Sequence, residues 1–360
     1  MATRPSAAPW RAGGVGGARR RSVLATQVLS EADSEPIGAR VVEWPGAFAS
    51  RSRIVVLDES RHPSGSLKHD TLRLVFRRLV ADGTIWPGRA IVMASAGNAA
   101  VAGAYWCRML GLPCTVVVPA STPAAKTDLI GAEHATVVPH APPAAIYEEA
   151  RRIADGLGGF YLDHFAHGPA AATDRDWPLA RDLVDAATAV TAAPPTVTIV
   201  GLGSGATAAG LHAHRRRSGP GYRVIGVDPE NSAYLPGWVY DVPDYGTGMP
   251  SRIEGIGRPV LPDSFDPATV DLVVRAPDSA AVAGARALRA LLGRPVGASS
   301  GATLWAAVRH ARRSTGPEII ATVLADAHPH YLDTCHDNAW CATKGLDPAA
   351  FADFFRPGTG

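Results

Sequence analysis

The segment TVTIVGLGSGAT, residues 196–207, runs directly into AAGLHAHRRR, residues 208–217. Its first five residues are β-branched or apolar, which favours a buried strand. The glycines that follow predict a tight turn, and the next segment predicts a helix. A strand, a glycine turn and a helix in this order form the unit from which parallel α/β sheets are built. The chain is therefore expected to have an α/β fold.

The same turn has two chemical interpretations. Backbone N–H groups at a helix N-terminus bind anions, and Ser204 and Thr207 would add hydroxyl donors, so the turn suits a phosphate group. The pattern Gly-x-Gly-x-x-Ala that begins at Gly201 also matches a dinucleotide fingerprint, and Asp228 stands about where a ribose-binding acid is found. These residues alone leave open both a nicotinamide enzyme and a phosphate-bearing cofactor such as pyridoxal phosphate.

The segment IVMASAGNAA, residues 91–100, repeats the strand-turn-helix pattern earlier in the chain. Its small residues would expose backbone N–H groups to a substrate carboxylate, and Asn98 could bond a ring hydroxyl. The alternative is an ordinary turn with Asn98 in a left-handed conformation. The residues leave both interpretations open.

Strand-length apolar runs alternate with helical segments over most of the chain, and two such turns far apart in sequence predict two sheets that face one cleft. The stretch Tyr234–Pro262, rich in Gly, Pro and Tyr, is predicted to be a long functional loop and not core. The predicted strands are Ile54–Leu57, Ala90–Ala94, Cys114–Val118, Thr136–Val138, Thr196–Val200, Arg223–Val227, Leu272–Arg275 and Ile319–Leu324.

The composition excludes several classes of protein. Of the 360 residues, 46% are hydrophobic and 19% charged, which allows a full core and excludes a disordered chain. The formal net charge of +2 does not indicate a nucleic-acid surface, and no apolar run approaches the roughly 18 residues of a membrane span. The four cysteines show no zinc-site spacing, so no structural metal and a reducing cytoplasm are expected. Residues 1–25 are expected to be a disordered tail.

Lysine is rare in this chain, since only Lys68, Lys126 and Lys344 occur among 35 basic residues. Lys68 stands at the head of a predicted helix, on the same face as Leu72. Burial and the positive end of the helix dipole would both disfavour its ammonium form, and the neutral amine is the form that attacks a carbonyl. The alternative is a lysine whose stem covers apolar surface while its head reaches water.

Several polar residues are weaker candidates. Ser299, in GASSGA at residues 297–302, is either a helix cap or a hydroxyl that faces a pyridine nitrogen, an arrangement that favours loss of a β-substituent over transamination. His62, His69 and His164 are expected to be structural because no spacing pattern links them. The spacing in DAHPH, residues 326–330, fits no common metal-ligand set, so it is expected to be a turn near the cofactor.

Five segments, in order, resemble those of the cysteine synthase and cystathionine β-synthase family, which are pyridoxal-phosphate enzymes of fold type II. They are PSGSLK at 63–68 (cofactor lysine), SAGNA at 95–99 (substrate loop), GSGAT at 203–207 (phosphate loop), RIEGIG at 252–257 (covering loop) and GASSG at 297–301 (ring-nitrogen turn). The likeness runs from about Thr26 to Gly345 and is strongest to the actinobacterial L-cysteine desulfhydrase branch.

The resemblance implies pyridoxal 5'-phosphate in the cleft between two domains, each a largely parallel twisted sheet flanked by helices. Lys68 would bind the cofactor as an imine and move the substrate α-proton, Asn98 would bond the ring hydroxyl, and Ser299 would face the ring nitrogen. The phosphate would be held by Gly203, Ser204, Gly205, Ala206 and Thr207, and the substrate by Ser95, Ala96, Gly97, Ala99 and Gly255.

The resemblance also implies domain limits and an assembly. A large cofactor-phosphate-binding domain would comprise 26–57 and 170–345, a small substrate-carboxylate-binding domain 58–169, and a C-terminal tail 346–360. The enzyme would be a cytoplasmic homodimer that acts on a small amino acid, without nucleic-acid or membrane partners.

The implied reaction is β-elimination from L-cysteine through an aminoacrylate, giving sulfide, pyruvate and ammonia. The alternative is β-replacement on an O-activated L-serine, making cysteine or another β-substituted alanine. Ala96 and Ala99 stand where cysteine synthases carry hydroxyl residues, and Ala206 replaces a glycine of the phosphate loop, so the exact substrate stays open. A nicotinamide oxidoreductase would leave the Lys68 turn unexplained, and a non-catalytic sensor would not need Lys68.

Overall fold

The computed structural model describes Val23, Thr26, Leu29 and residues 37–356, apart from 47, 220 and 243. The predicted N-terminal tail, residues 1–25, lies outside these residues except for Val23. Among the described residues, no helix is both long enough and apolar enough to cross a membrane.

The described chain alternates strands and helices, as predicted. Its strands are β1 Val41–Glu43, β2 Arg53–Asp58, β3 Ile91–Ala94, β4 Cys114–Pro119, β5 Thr136–His140, β6 Phe160–Tyr161, β7 Val197–Gly201, β8 Arg223–Pro229, β9 Leu272–Ala276 and β10 Ile319–Leu324. Its α-helices are α1 Lys68–Ala81, α2 Asn98–Leu110, α3 Ala124–Gly131, α4 Ile146–Gly156, α5 His164–Ala172, α6 Pro178–Thr191, α7 Ala206–Ser218, α8 Tyr234–Tyr240, α9 Asp278–Leu292, α10 Ala298–Arg313 and α11 Asn338–Thr343.

The chain divides into two compact units. The four-stranded unit comprises Lys68–His167 and the described residues before Ser34, and the six-stranded unit comprises Ser34–Leu67 and the described residues from Gly168 onward. Each unit has its own sheet. The predicted α/β fold with two largely parallel sheets is therefore confirmed.

The four-stranded unit contains a parallel sheet in the order β5-β4-β3-β6. Helix α4 packs its apolar residues Ile146, Ala150 and Ala154 against Val92 and Val117 of the sheet. The spacing of the three helix residues, four apart, places them on one face, which explains why this amphipathic helix covers the strands.

The six-stranded unit contains a sheet in the order β1-β2-β10-β7-β8-β9. Only β1 runs antiparallel to its neighbour. Helices α9 and α10 pack so closely that a Cβ atom on Gly284 would collide with the Gly301 carbonyl oxygen. Glycine at these two positions therefore permits backbone contact between the helices.

The segment predicted as a C-terminal tail contains ordered structure. A 3₁₀ helix spans Pro348–Phe355, and Phe355 is buried with its ring edge-on to Trp44, 6.4 Å between ring centroids. Leu346 is also part of this unit's core. The segment 346–356 thus packs against the six-stranded unit and contributes Leu346 and Phe355 to its hydrophobic core.

All eight predicted strands are present, with ends shifted by at most two residues. The two strands that sequence reasoning missed, β1 and β6, are three and two residues long. Such short strands carry too few alternating positions to produce a periodic signal.

Candidate cofactor site

The turn between β7 and α7 has the geometry of an anion cradle. Gly205 precedes α7 with φ +78° and ψ −10°, a left-handed conformation that glycine adopts at little cost. The first N–H groups of a helix have no partner within the helix, and those of α7 follow this turn. Ser204 and Thr207 are buried beside it, with 4% and 8% of their surfaces exposed. These donors suit a phosphate group.

The loop 251–257 covers this turn. The Gly257 backbone N–H donates to the Leu202 carbonyl oxygen over 2.7 Å. A Cβ atom on Gly203 would collide with the Gly255 carbonyl oxygen, so the loop approaches the turn to a distance that only glycine allows. Gly255 itself has φ +89°. The turn and its cover therefore form one packed structure.

Ser299 lies at the start of α10, next to the same loop. Its Oγ would be 3.7 Å from a Cβ atom on Gly255, and 4% of the residue is exposed. The neighbouring Ser300 accepts a hydrogen bond on Oγ from the Ala325 backbone N–H, 2.9 Å, which fixes the turn to the end of β10. The six-stranded unit thus brings together Gly203, Gly255 and Ser299.

The prediction of a loop over 234–262 was wrong at its beginning. Helix α8 begins at Tyr234, whose side chain is fully buried. Its hydroxyl donates to the Gly203 carbonyl oxygen over 2.7 Å, and its ring contacts Phe265 edge-on. Burial raises the pKa of Tyr234 well above its ordinary value, so the hydroxyl remains a donor. A seven-residue helix containing Pro and Gly gave no periodic signal in the sequence.

Asp228 does not have the setting that a dinucleotide site needs. It is fully buried, and its Oδ2 accepts a hydrogen bond from the Leu235 backbone N–H, 2.8 Å. Burial raises the pKa of Asp228 to about 6, although hydrogen bonds from Ser232 and from the Leu235 backbone lower it. The carboxyl group therefore stabilises the start of α8. Because it is buried there, the nicotinamide interpretation lacks an acidic residue to bind the ribose.

In the four-stranded unit, Lys68 is the first residue of α1 and is half-buried. The predicted stripe that follows is buried, including Leu72 and Phe76. The carbonyl oxygen of His69 accepts a hydrogen bond from Trp106 Nε1 over 2.9 Å, which ties the start of α1 to α2. Lys68 is thus held at a fixed helix terminus.

The turn between β3 and α2 is less enclosed than the turn at 201–207. Gly97 caps α2 with φ −117°, and its N–H donates to Ser95 Oγ over 3.3 Å. Ser95, Ala96, Gly97 and Asn98 are half-buried, and Ala99 is buried. Asn98 is the first helical residue, so the alternative of a left-handed Asn98 was wrong.

The three weaker histidines have structural contacts. His62 Nε2 is 2.8 Å from Glu59 Oε2, and Glu59 also pairs with the buried Arg40. His69 stacks edge-on against Tyr105, and His164 contacts Phe165. The four cysteines are buried and form no disulfide, and burial raises the thiol pKa of Cys107 above its ordinary value.

Comparison with known proteins identifies the family. The family model described as "Pyridoxal-phosphate dependent enzyme" matches residues 38–326. The chain is 38% identical over 305 residues to L-cysteine desulfhydrase Cds1 of Mycobacterium tuberculosis, covering 81% of this chain and 80% of that protein. It is 28% identical to N-(2-amino-2-carboxyethyl)-L-glutamate synthase of Ralstonia nicotianae, covering 79% and 82%.

Solved structures show the same fold. O-ureido-L-serine synthase superposes with a TM-score of 0.71 at 24% identity, covering 84% of this chain and 95% of the other. A hydrogen sulfide-producing enzyme of Fusobacterium nucleatum gives a TM-score of 0.70 at 23% identity, covering 80% and 85%. The family match across most of the chain, together with a donor set that suits a phosphate, shows that this protein belongs to the pyridoxal-phosphate dependent enzymes.

Proposed function

We propose that this enzyme is an L-cysteine desulfhydrase, which converts L-cysteine and water to sulfide, pyruvate and ammonia. The observation that carries the proposal is the 38% identity to a named L-cysteine desulfhydrase over four fifths of both chains. The synthase relative from Ralstonia nicotianae, of similar coverage, is 28% identical.

Pyridoxal phosphate, when bound, stabilises the negative charge that develops at the α-carbon of an amino-acid substrate. Lys68 is the residue we propose to hold the cofactor covalently and to carry the proton from the substrate α-carbon. Its place at the first residue of α1, half-buried and followed by a buried stripe, fits a lysine that is fixed in position and partly shielded from water.

The six-stranded unit supplies the other cofactor contacts that we propose. The turn residues 203–207 hold the phosphate through backbone N–H groups and the buried hydroxyls of Ser204 and Thr207. Ser299 donates to the ring nitrogen without protonating it, because a hydroxyl is a far weaker acid than a pyridinium or a carboxylic acid. A hydroxyl partner for the ring nitrogen limits electron withdrawal by the ring and favours loss of a β-substituent.

Substrate contacts are proposed for the turn between β3 and α2. Backbone N–H groups of Ser95, Ala96, Gly97 and Ala99 bind the substrate carboxylate, and Asn98 bonds the ring hydroxyl. Gly255, in the covering loop, limits the space near Ser299. A Cβ atom on Gly255 would lie less than 4 Å from the Ser299 side chain. The small side chains of Ala96 and Ala99 suit a small substrate.

A second candidate function is β-replacement, in which a nucleophile other than water attacks after the β-substituent leaves. The covering loop favours it, because a loop that packs on Gly203 and lies beside Ser299 would exclude water from the reacting carbon. The relative that makes N-(2-amino-2-carboxyethyl)-L-glutamate is consistent with this alternative.

The test uses purified holoenzyme with L-cysteine alone and, separately, with O-acetylserine and sulfide. Sulfide, pyruvate and cysteine are measured in both reactions. Sulfide and pyruvate formed from L-cysteine in equal amounts support the desulfhydrase. Rapid cysteine formation in the second reaction, with negligible pyruvate in the first, would overturn it in favour of the synthase.

Lys68→Arg tests the proposed amine. Arginine keeps the positive charge but cannot act as a nucleophilic amine, so turnover should fall at least 1000-fold and the absorbance of bound cofactor above 400 nm should be lost, as order-of-magnitude expectations for removing a covalent catalytic group. Lys126→Arg is the matched control, since Lys126 is also a half-buried helical lysine of the same unit. Equal activity of the two variants would contradict the role of Lys68.

We further propose that the enzyme is a cytoplasmic homodimer, as the family resemblance implies. Light scattering should then give twice the chain mass of 37.5 kDa. Fractionation of the source cells should recover the activity with cytoplasmic marker enzymes.

A further inference from the structure

Two buried histidines of the six-stranded unit have no role in the proposed reaction. His328 and His330 stack with their ring centroids 5.5 Å apart and their planes 14° from parallel. They follow β10, at the start of a 3₁₀ helix over Pro329–Asp333. The exposed fraction is 7% for His328 and 8% for the His330 side chain. Such burial of two imidazoles needs a structural or functional reason.

One end of the stack supports the turn that precedes Lys68. Gly65 has φ +77°, and a Cβ atom there would lie only 2.8 Å from His328 Cε1, so the imidazole packs against the backbone of the turn. The Leu67 backbone N–H donates to the Ala325 carbonyl oxygen over 3.0 Å, which fixes the turn to the end of β10. The His328 imidazole therefore packs against Gly65, in the middle of the turn 63–67.

The other end of the stack faces the covering loop. His330 Nε2 is 3.6 Å from Glu254 Oε2. Glu254 immediately precedes Gly255, the residue that lies against Ser299. The position of the Glu254 backbone therefore fixes the position of the loop over Ser299.

The loop is anchored independently on its other side. Arg252 donates to Asp278 Oδ2 over 2.7 Å and to Glu230 Oε2 over 2.5 Å. Its third donor group reaches the carbonyl oxygen of Lys344. Because Arg252 is fixed, a second contact at Glu254 would immobilise Ile253, which lies between them, and Gly255, which follows.

The contact at Glu254 is one that His330 requires. Among the described residues, neither ring nitrogen of His330 makes a hydrogen bond, although both are buried. A separation of 3.6 Å is slightly beyond hydrogen-bond range and within the range of an ion pair. A buried imidazole without a hydrogen bond is unfavourable, so the Glu254 carboxylate at 3.6 Å stabilises His330, and the contact favours the observed loop position. Tyr331, whose ring is 4.4 Å from that of His330, limits the movement of the imidazole.

We propose that His330 is a positioning residue that holds Glu254 and thereby keeps the loop 251–257 over Ser299, while His328 links this support to the turn before Lys68. The kinetic part of this inference rests on the proposed function, but its structural part does not. The consequence for catalysis is substrate retention, so loss of His330 should raise KM for L-cysteine and leave kcat nearly unchanged.

The experiment compares His330→Phe, Glu254→Met and the double variant as holoenzymes. Phenylalanine keeps a planar ring for the stack and removes both nitrogens. Amide hydrogen exchange at residues 253–257 should accelerate about tenfold in each single variant, because the loop loses the contact that holds Glu254. KM for L-cysteine should rise by a similar factor, about fivefold to tenfold, with kcat within about twofold. The double variant should match the single variants, because both remove the same contact.

His310→Phe is the matched control. His310 Nε2 is likewise 3.6 Å from a glutamate oxygen, that of Glu318, in the same unit, but it lies in the last turn of α10. This variant should leave loop exchange and KM unchanged. His330→Gln keeps an amide donor and should restore exchange at 253–257 close to the wild-type rate.

Unchanged exchange at 253–257 in His330→Phe and Glu254→Met would overturn the proposal, as would single effects that add in the double variant. If His330→Phe does not fold, Glu254→Met and His330→Gln still decide the question. Accelerated exchange in an enzyme that turns over no cysteine would retain the positioning role and reject the proposed function. The two failures are therefore distinguishable.

Discussion

The two strand-turn-helix turns of this protein look alike in sequence and differ in structure. In the six-stranded unit, the turn at 201–207 is closed over by the loop 251–257, and Gly205 is left-handed. In the four-stranded unit, the turn at 95–99 is mostly half-buried, and among the described residues no heavy atom outside 96–98 lies within 4 Å of a Cβ position on Gly97. An enclosed, preformed turn suits a resident cofactor, whereas an open turn suits a substrate that enters and leaves.

The largest expected effect that tests this contrast comes from Gly203→Ala. The new methyl group would collide with the Gly255 carbonyl oxygen and separate the covering loop from the turn. Affinity for pyridoxal phosphate should fall about 100-fold, which corresponds to roughly 2.7 kcal/mol. Equilibrium titration of the apoenzyme, followed by absorbance, measures this change. Normal affinity would show that the close packing at Gly203 is unimportant for cofactor binding.

A smaller effect concerns the pH dependence of stability. Asp228 has a folded pKa of about 6 against an ordinary 3.8, so between these values the folded state binds more protons than the unfolded state. The contribution of this carboxyl group to the free energy of unfolding is therefore greatest below pH 4 and declines as the pH rises to 6. The loss is of the order of 2 kcal/mol.

Asp228→Asn removes this dependence, because the amide does not titrate and its oxygen can still accept from the Leu235 backbone N–H. The difference in unfolding free energy between variant and wild type, measured by denaturant titration at pH 4 and pH 7, should change in favour of the variant as the pH rises. An identical difference at both pH values would mean that Asp228 has an ordinary pKa in the folded protein.

The smallest effect is expected from Gly97→Ala, the counterpart of Gly203→Ala in the open turn. The φ of −117° is accessible to alanine, and among the described residues no heavy atom outside 96–98 lies within 4 Å of the new methyl group, so the substitution causes no backbone strain. The melting temperature and cofactor affinity should be unchanged, while KM for L-cysteine rises because the methyl group narrows the substrate space. A loss of cofactor affinity equal to that of Gly203→Ala would abolish the distinction between the turns.

Much of the fold could be read from the sequence because its signals are local. The eight strands with four or more residues produced apolar runs, and the glycine turns and the helical stripe after Lys68 follow from short-range backbone preferences. Helix α8 was missed because its seven residues contain Pro236 and Gly237, which normally interrupt a helix.

The candidate site was predictable only as a set of separate motifs. Five segments pointed to pyridoxal phosphate. Nothing in the local sequence indicated that Tyr234 donates to the Gly203 carbonyl oxygen, or that Asp228 is buried and accepts a hydrogen bond from the Leu235 backbone. Tyr234 is far from Gly203 in the sequence, and the Asp228 carboxyl group bonds the protein backbone instead of the ribose that its sequence position suggested. Sequence spacing contains no information about such contacts.

By itself, the sequence determined the α/β class and the cofactor family and predicted Lys68 as the cofactor lysine, because these depend on residue type and on spacing within a single element. Only the tertiary structure decided which glycines tolerate no side chain and which histidines meet the covering loop. The pairs Gly203 with Gly255, Gly65 with His328, and His330 with Glu254 are separated by 52 or more residues. Their contact results from the way the strands pair and the helices pack, and not from any local preference of the chain.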